Sequence, residues 1–262
     1  MSAAPLRIVV AGAAGRMGQA VIKAVGADDR TVLTGAIERS GSPAIGRPVE
    51  DGLQISDAPP ASGFDALIDF SAVSAVAANA GSAADAKAAY IACVTGIGAM
   101  EEAAIDAAAS RVPVVQAGNT SLGVAVLAHL VERAAAALDE DYDIEIAEAH
   151  HRRKVDAPSG TALLLSDAAA DGRGRARGAA RDEASDDRSG ARERGAFGFS
   201  VIRGGGGVGE HAVRLIGERE EIILSHRAFD RALFADGALA AARWAAGAEP
   251  GFYGMNDVLG LS

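Results

Sequence analysis

The chain has 262 residues, 49% of them hydrophobic and 23% charged, with a formal net charge of -10. That excludes a disordered or collagen-like chain and leaves room for one large domain or two small ones. The acidic balance also excludes a general binder of nucleic acid or anionic membranes, while a local cationic cluster can still take a small anion. Cys93 is the lone cysteine, so no intramolecular disulfide and no cysteine-rich zinc site can form. No run of about 18 apolar residues appears. Met1 to Arg7 lacks the basic-then-apolar pattern of a signal peptide. A cytoplasmic protein with no membrane and no nucleic-acid partner is expected.

Taken in chain order, Leu6 to Ala11 is a short, nearly all-apolar run that suits a buried parallel strand. Gly12-Ala13-Ala14-Gly15-Arg16-Met17-Gly18 follows at once, then a helical pattern over 19–25. A strand over 31–37 ends at Glu38-Arg39. Further strands are predicted over 66–70, 89–94 and 112–116, with a helix over 101–110 and Ser71 as the cap of another. Such alternation argues for an open parallel sheet, with ligands beyond the strand ends after positions 11, 38, 70, 94 and 116. The rhythm changes near Asn119. A long helix over 122–138 precedes an alternating strand over 143–149 and a helix opening near Ser159. The Arg-, Asp- and Gly-rich stretch 171–195 is read as a helix tail and solvated loop. Strands follow over 197–203, 213–216 and 221–225, then a last helix over 228–246. The fold class expected is α/β: an N-terminal Rossmann-like parallel sheet domain with a second α+β domain of mixed sheet.

Two stretches carry chemistry. Gly12-x-x-Gly15-x-x-Gly18 lies between strand and helix, where glycines let backbone N–H groups approach a pyrophosphate at a helix N-terminus. Glu38, twenty residues after Gly18, can accept hydrogen bonds from ribose hydroxyls. A turn that merely packs helix on strand is the plainer alternative; the context favours a dinucleotide. Glu38 favours NAD and Arg39 favours NADP, unless Arg39 is a solvated surface residue.

The other stretch is Glu148-Ala-His-His-Arg-Arg-Lys-Val-Asp-Ala-Pro-Ser-Gly-Thr161. His150, His151 and Lys154 combine cations with a group that titrates near neutral pH, as proton transfer to an anionic substrate would need. Ser159-Gly160-Thr161 starts a helix whose free N–H groups suit a carboxylate. The alternative is a basic surface loop with an ordinary cap, and that reading, or an oligomer contact, is preferred for Arg152 and Arg153. A metal site lacks the usual ligand spacing, and none is expected. His129 reads as helix surface, and His211 and His226 as structural hydrogen-bonders rather than catalysts, with a place near the cleft left open for either. Asp69 reads as a structural carboxylate.

Together with Val10 to Gly18 and Asn119-Thr-Ser-Leu-Gly-Val124, the 148–162 stretch resembles the dihydrodipicolinate reductase family. Echoes continue in order at Gly198 to Arg203, Val208 to His211, Ile216 to Glu218, Ser225 to Arg227 and Phe234 to Gly237. The resemblance implies NADH- or NADPH-dependent reduction of a small cyclic dicarboxylate on the diaminopimelate route to lysine. It implies His150 as proton donor and acceptor, and Lys154 as a second donor that also attracts carboxylate. His151, Gly160 and Thr161 would hold substrate. Gly12, Ala13, Ala14, Gly15, Arg16, Met17, Glu38 and Arg39 would bind cofactor. So would Cys93, Val94 and Thr95 after one strand, and Ala117, Gly118, Asn119 and Thr120 after the next. It implies a homotetramer joined through the second domain, and a division into residues 1–120 with 231–262 for the dinucleotide and 121–230 for substrate and assembly.

Cys93-Val94-Thr95-Gly96 departs from the family's usual Gly-Thr-Thr-Gly, and Asn119-Thr120 from Asn-Phe or Asn-Met. Two rival readings stay open: another two-domain nicotinamide oxidoreductase acting on a different small acid, and a dinucleotide sensor without catalysis.

Overall fold

The computed structural model describes residues 4–178 and 192–261. The chain folds as two compact units, Met1–Leu122 with Ala232–Ser262, and Gly123–Arg231.

The first unit is built on seven parallel strands: β1 (Leu6–Ala11), β2 (Thr31–Ile37), β3 (Ile55–Ser56), β4 (Ala66–Asp69), β5 (Ala89–Ala92), β6 (Pro113–Gln116) and β11 (Gly251–Tyr253). Their order is β11-β6-β5-β4-β1-β2-β3. Strands buried on both faces lose the alternation of a half-wet sheet. Ile8, Val9, Val10, Leu67, Ile68 and Ile91 are all fully buried. Helices α1 (Arg16–Gly26), α2 (Val76–Ala86), α3 (Ala99–Ala109) and α6 (Ala232–Ala245) cover the sheet, with α2 beside α3 and α1 beside α6. A short α7 (Met255–Leu259) closes the chain. The strand order reverses between β1 and β4, where an open α/β sheet leaves a crevice for a ligand.

The second unit has helices α4 (Leu122–Ala137) and α5 (Gly160–Gly172) against a four-stranded sheet. Its strands are β7 (Asp143–His150), β8 (Phe197–Arg203), β9 (Gly209–Ile216) and β10 (Glu221–Ala228), ordered β10-β9-β7-β8. The β7–β8 pair is parallel and the other pairs are antiparallel, so the sheet is mixed. Leu127, Val131, Leu165 and Ala169 of the helices bury Ile144, Ile146, Phe197, Val213 and Leu215 of the sheet.

Element boundaries differ from the sequence reading in instructive places. Helix α1 starts at Arg16, because its first turn is the glycine turn itself. Ser71 caps no helix: its N–H donates to Asp69 Oδ1 at 2.8 Å, and a 3-10 turn leads into α2. The 171–195 stretch begins as the end of α5, and residues 179–191 lie outside the described residues. Among the described residues no helix is long and apolar enough to cross a membrane.

Candidate active site

In the first unit the glycine turn links β1 to α1. Gly12 has φ +76°, and a Cβ there would stand 2.6 Å from the Phe70 carbonyl oxygen. A Cβ on Gly18 would stand 2.1 Å from the Gly12 oxygen, so helix and turn pack closer than any side chain allows. The N–H groups of Gly12 and Ala13 both donate to the Ile37 carbonyl, tying the turn to β2. Gly15 caps α1 without a side chain, leaving first-turn N–H groups to an outside acceptor. Glu38 accepts from the Ala14 N–H at 3.0 Å, so the acid and the turn share one place. Ala14, Gly15, Arg16 and Arg39 are exposed beside it, and Met17 is half-buried. This cradle fits the pyrophosphate and ribose of a dinucleotide.

The next strand ends line up behind it. Cys93 and Val94 are buried after β5, while Thr95 is exposed. Burial and the nearby Asp69 carboxylate push the Cys93 thiol pKa well up, which makes it unreactive. Ala117 follows β6, buried, with its N–H on the Ala92 carbonyl. A Cβ on Gly118 would stand 3.5 Å from Thr95 Cγ2. Asn119 Oδ1 accepts from the Ser121 N–H. Thr120 is buried, and its hydroxyl donates to the Phe234 carbonyl at 2.6 Å, binding this turn to α6. Asp69 is fully buried and accepts from Tyr90 Oη at 2.7 Å, Asn79 Nδ2 at 2.8 Å and the Ser71 N–H. That satisfied network fits the structural role expected of it.

In the second unit, alternation along β7 places Glu148 on the same face as Ile144 and Ile146. A carboxylate there needs partners. It has four: His150 Nδ1 at 2.5 Å, the Ser159 N–H at 2.9 Å, and both terminal nitrogens of Arg203 at 2.7 Å. Burial alone raises the Glu148 pKa, but Arg203, His150 and the Ser159 N–H outweigh it and hold the group below the usual range. Burial lowers the His150 pKa more than Glu148 raises it, with Lys154 and Arg203 adding to the fall. The register of the sheet explains the assembly: His150 lies opposite Arg203 on β8, and Glu148 opposite His211 on β9.

The other expected residues follow in the loop after β7 and at the start of α5. His151 Nε2 faces Arg231 Nη2 at 3.0 Å, and its Nδ1 is buried with no partner. Lys154 Nζ pairs with Asp156 at 2.8 Å. Arg152, Arg153 and Val155 are exposed. Ser159 accepts from the Ala162 N–H as the cap of α5. Gly160 opens that helix, and a Cβ there would meet nothing within 4 Å. Thr161 is half-buried behind it. The glycine run closes on this segment: the His151 N–H donates to the Gly207 carbonyl and the Gly204 N–H to the His150 carbonyl.

Glu148, Arg203, Arg231 and His211 were given no chemical role by the sequence reading. The period-2 pattern over 143–149 could have exposed Glu148, a charge falling in the apolar register. Arg203 ends the Gly198–Arg203 echo with no role attached to it, and nothing local marks Arg231; both arrive from elsewhere in the chain. His211 shares a hydrogen bond with Ser159 Oγ at 3.0 Å, and its ring centroid is 5.0 Å from that of His150. Glu148, His150 and His211 lie within 4.8 Å of one another, a spacing that can hold a metal ion. Here the Arg203 guanidinium and the His150 proton already engage both carboxylate oxygens.

Burial, with His150 beside it, lowers the His211 pKa from 6.5 to about 4. The folded state thus favours the neutral ring. The corresponding stability is complete above pH 6.5 and is lost as pH falls toward 4, about 3 kcal/mol in all. Urea unfolding at stepped pH should show that decline, and His211→Gln should flatten it over this window. An unchanged slope in the variant would refute the assignment.

Models of the two halves of dihydrodipicolinate reductase match this chain, the N-terminus over residues 6–120 and the C-terminus over 123–259. The chain belongs to the dihydrodipicolinate reductase family. It is 48% identical to the 4-hydroxy-tetrahydrodipicolinate reductase of Sinorhizobium medicae, over 100% of both chains. Against the enzyme of the same name from Ruegeria pomeroyi it is 48% identical over 97% of this chain and 98% of that one. A dipicolinate-bound dihydrodipicolinate reductase from Paenisporosarcina sp. TG-14 shares the fold, with a TM-score of 0.77 over 97% of this chain and 99% of that one, at 18% identity. The residues His150 to Thr161 thus sit in a family fold that pairs a parallel-sheet unit with a mixed-sheet unit.

Proposed function

We propose that this chain reduces 4-hydroxy-tetrahydrodipicolinate to tetrahydrodipicolinate with NADH or NADPH, in the diaminopimelate route to lysine. The observation that carries the reading is the cluster built around Glu148, which joins the two ends of the 148–162 stretch through His150 and the Ser159 N–H at the start of α5. The first unit is the dinucleotide domain, and the second holds substrate.

The backbone of Gly12 to Met17 takes the pyrophosphate, and Glu38 exchanges the Ala14 N–H for ribose hydroxyls. Arg39, exposed beside Glu38, is available to a 2′-phosphate, so both cofactors are accepted. The strand ends at 93–95 and 117–119 flank the nicotinamide through backbone groups. The hydroxyl of Thr120, engaged with Phe234, serves the turn instead. When bound, the nicotinamide supplies a hydride to C4 of the unsaturated imine left after loss of the 4-hydroxyl.

The chain's own residues bind and protonate. Lys154, paired with Asp156, turns to a substrate carboxylate, and the Gly160–Thr161 helix start takes carboxylate on its N–H groups. With Nε2 accepting from Arg231, a neutral His151 carries its proton on Nδ1, a buried donor in want of an acceptor. His150 delivers the proton to the enamine, and the surrounding cations stabilise the charge on substrate and intermediate.

Ile202, Ile222 and Ile223 are exposed on the second unit's sheet, and they support assembly of a homotetramer through that sheet. The lone thiol, the nicotinamide cofactor and the biosynthetic substrate support a cytoplasmic location. Cofactor oxidation, followed separately with NADH and NADPH on substrate made in situ from pyruvate and aspartate semialdehyde, tests the reading. Substrate-dependent oxidation is expected with both. Cofactor binding without oxidation would return the chain to the sensor reading.

A further inference from the structure

A carboxylate accepts hydrogen bonds and donates none while it is ionised. Glu148 is buried and surrounded by four donors, so its oxygen 2.5 Å from His150 Nδ1 must receive a proton from that nitrogen. Neutral His150 is therefore the Nδ1–H tautomer, and Nε2 alone is free to exchange a proton. Nε2 sits beside Gly209, where a Cβ would stand 2.9 Å away; glycine leaves the ring its room.

We propose that Glu148 is the positioning residue of the proton transfer, fixing the His150 ring through Nδ1 and tying it to the helix start at Ser159. The proposal rests on His150 being the proton donor. Arg203 binds both Glu148 oxygens, so the carboxylate cannot rotate, and it also donates to the Asp156 carbonyl in the Lys154 loop. One anion thereby sets the distance between the proton donor, the carboxylate-binding helix start and the lysine loop. In the transfer the Nε2–H bond of the imidazolium breaks and the proton goes to the enamine of the reduced substrate. The electron pair stays on Nε2, and Nδ1–H remains on Glu148, which keeps its charge throughout.

Glu148 also matters because it stands almost alone against opposing charges. The groups facing His150 are Lys154 from the following loop, Arg203 from β8 and His211 from β9, with His226 of β10 behind His211 and Asp156 beside Lys154 and Arg203. Ser159 is the contribution of α5. Among the described residues, Glu148 is the one anion that bonds the His150 ring.

The test compares Glu148→Gln, Glu148→Asp and His150→Asn in steady-state turnover across pH. Glu148→Gln should lower kcat about 10- to 100-fold with KM changed less than about threefold. The alkaline limb of its kcat profile should move about one unit toward lower pH, because the imidazolium has lost its anion. Glu148→Asp should restore part of that limb. If His150→Asn is slow but the Glu148→Gln limb stays at its wild-type pH, the proposal fails and the role of His150 stands. If His150→Asn turns over normally, both fall. Nitrogen-15 NMR of the wild-type histidines decides the matter without any variant: a proton on Nδ1 of neutral His150 is expected, and a proton on Nε2 overturns the proposal.

Discussion

Replacing His150 with asparagine is expected to lower kcat by about 10²- to 10⁴-fold, the usual contribution of a positioned general acid. The effect should fall on turnover. Lys154, His151 and the start of α5 remain to hold substrate, so KM should change only a few-fold. Cofactor affinity should not change, because the glycine turn belongs to the other unit. An asparagine amide can still donate to Glu148, so the carboxylate keeps a partner and melting should stay cooperative. Steady-state kinetics with separate titration of cofactor binding checks all three. Turnover within threefold of wild type would remove His150 from the mechanism.

Gly18→Ala should act on the opposite quantity. Its added methyl would lie 2.1 Å from the Gly12 carbonyl oxygen and 2.8 Å from the Ala13 α-carbon, both backbone atoms that cannot swing aside. The helix must then back away from the turn, at a cost of about 1–3 kcal/mol in stability. The N–H groups that meet the pyrophosphate move with it. NADH and NADPH binding, read by fluorescence titration, should weaken at least about tenfold, and Tm should fall. Unchanged affinity and Tm together would mean that the turn is not the cofactor cradle.

The parallel-sheet unit was legible because its signals are local. Leu6 to Ala11, the three glycines and Glu38 are contiguous or nearly so, and buried strands announce themselves as apolar runs. What escaped was short. The two residues of β3 and three of β11 carry too little pattern to stand out from loops, and they exist because the sheet edges accept them. Strand β9 begins at Gly209, four residues before the apolar alternation that revealed it, since Gly-Glu-His reads as a turn until its ladder to β7 and β10 is known. The candidate site divides in the same way. His150, His151 and Lys154 share one stretch and were visible; Arg203, His211 and Arg231 reach it only through strand pairing and chain return. Glu148 lay in plain view within the stretch. Its role depends on a burial pattern rather than on its neighbours in sequence.

The parallel sheet is assembled from two pieces of chain, with the whole of Gly123–Arg231 between them. During synthesis β6 emerges long before β11, the strand that pairs along its outer edge. Helix α6, whose Ala235, Ala238, Leu239 and Ala242 are buried and whose Arg243 reaches Asp28 at 2.6 Å, is equally late. The nascent parallel-sheet unit must therefore wait on the ribosome with an unpaired strand edge and an uncovered apolar surface. Closing so long a loop is slow compared with local folding. The second unit has no such debt, since its sheet and both helices come from one uninterrupted run. A chain released before Tyr253 would carry a finished mixed-sheet unit on an unfinished, aggregation-prone parallel-sheet unit.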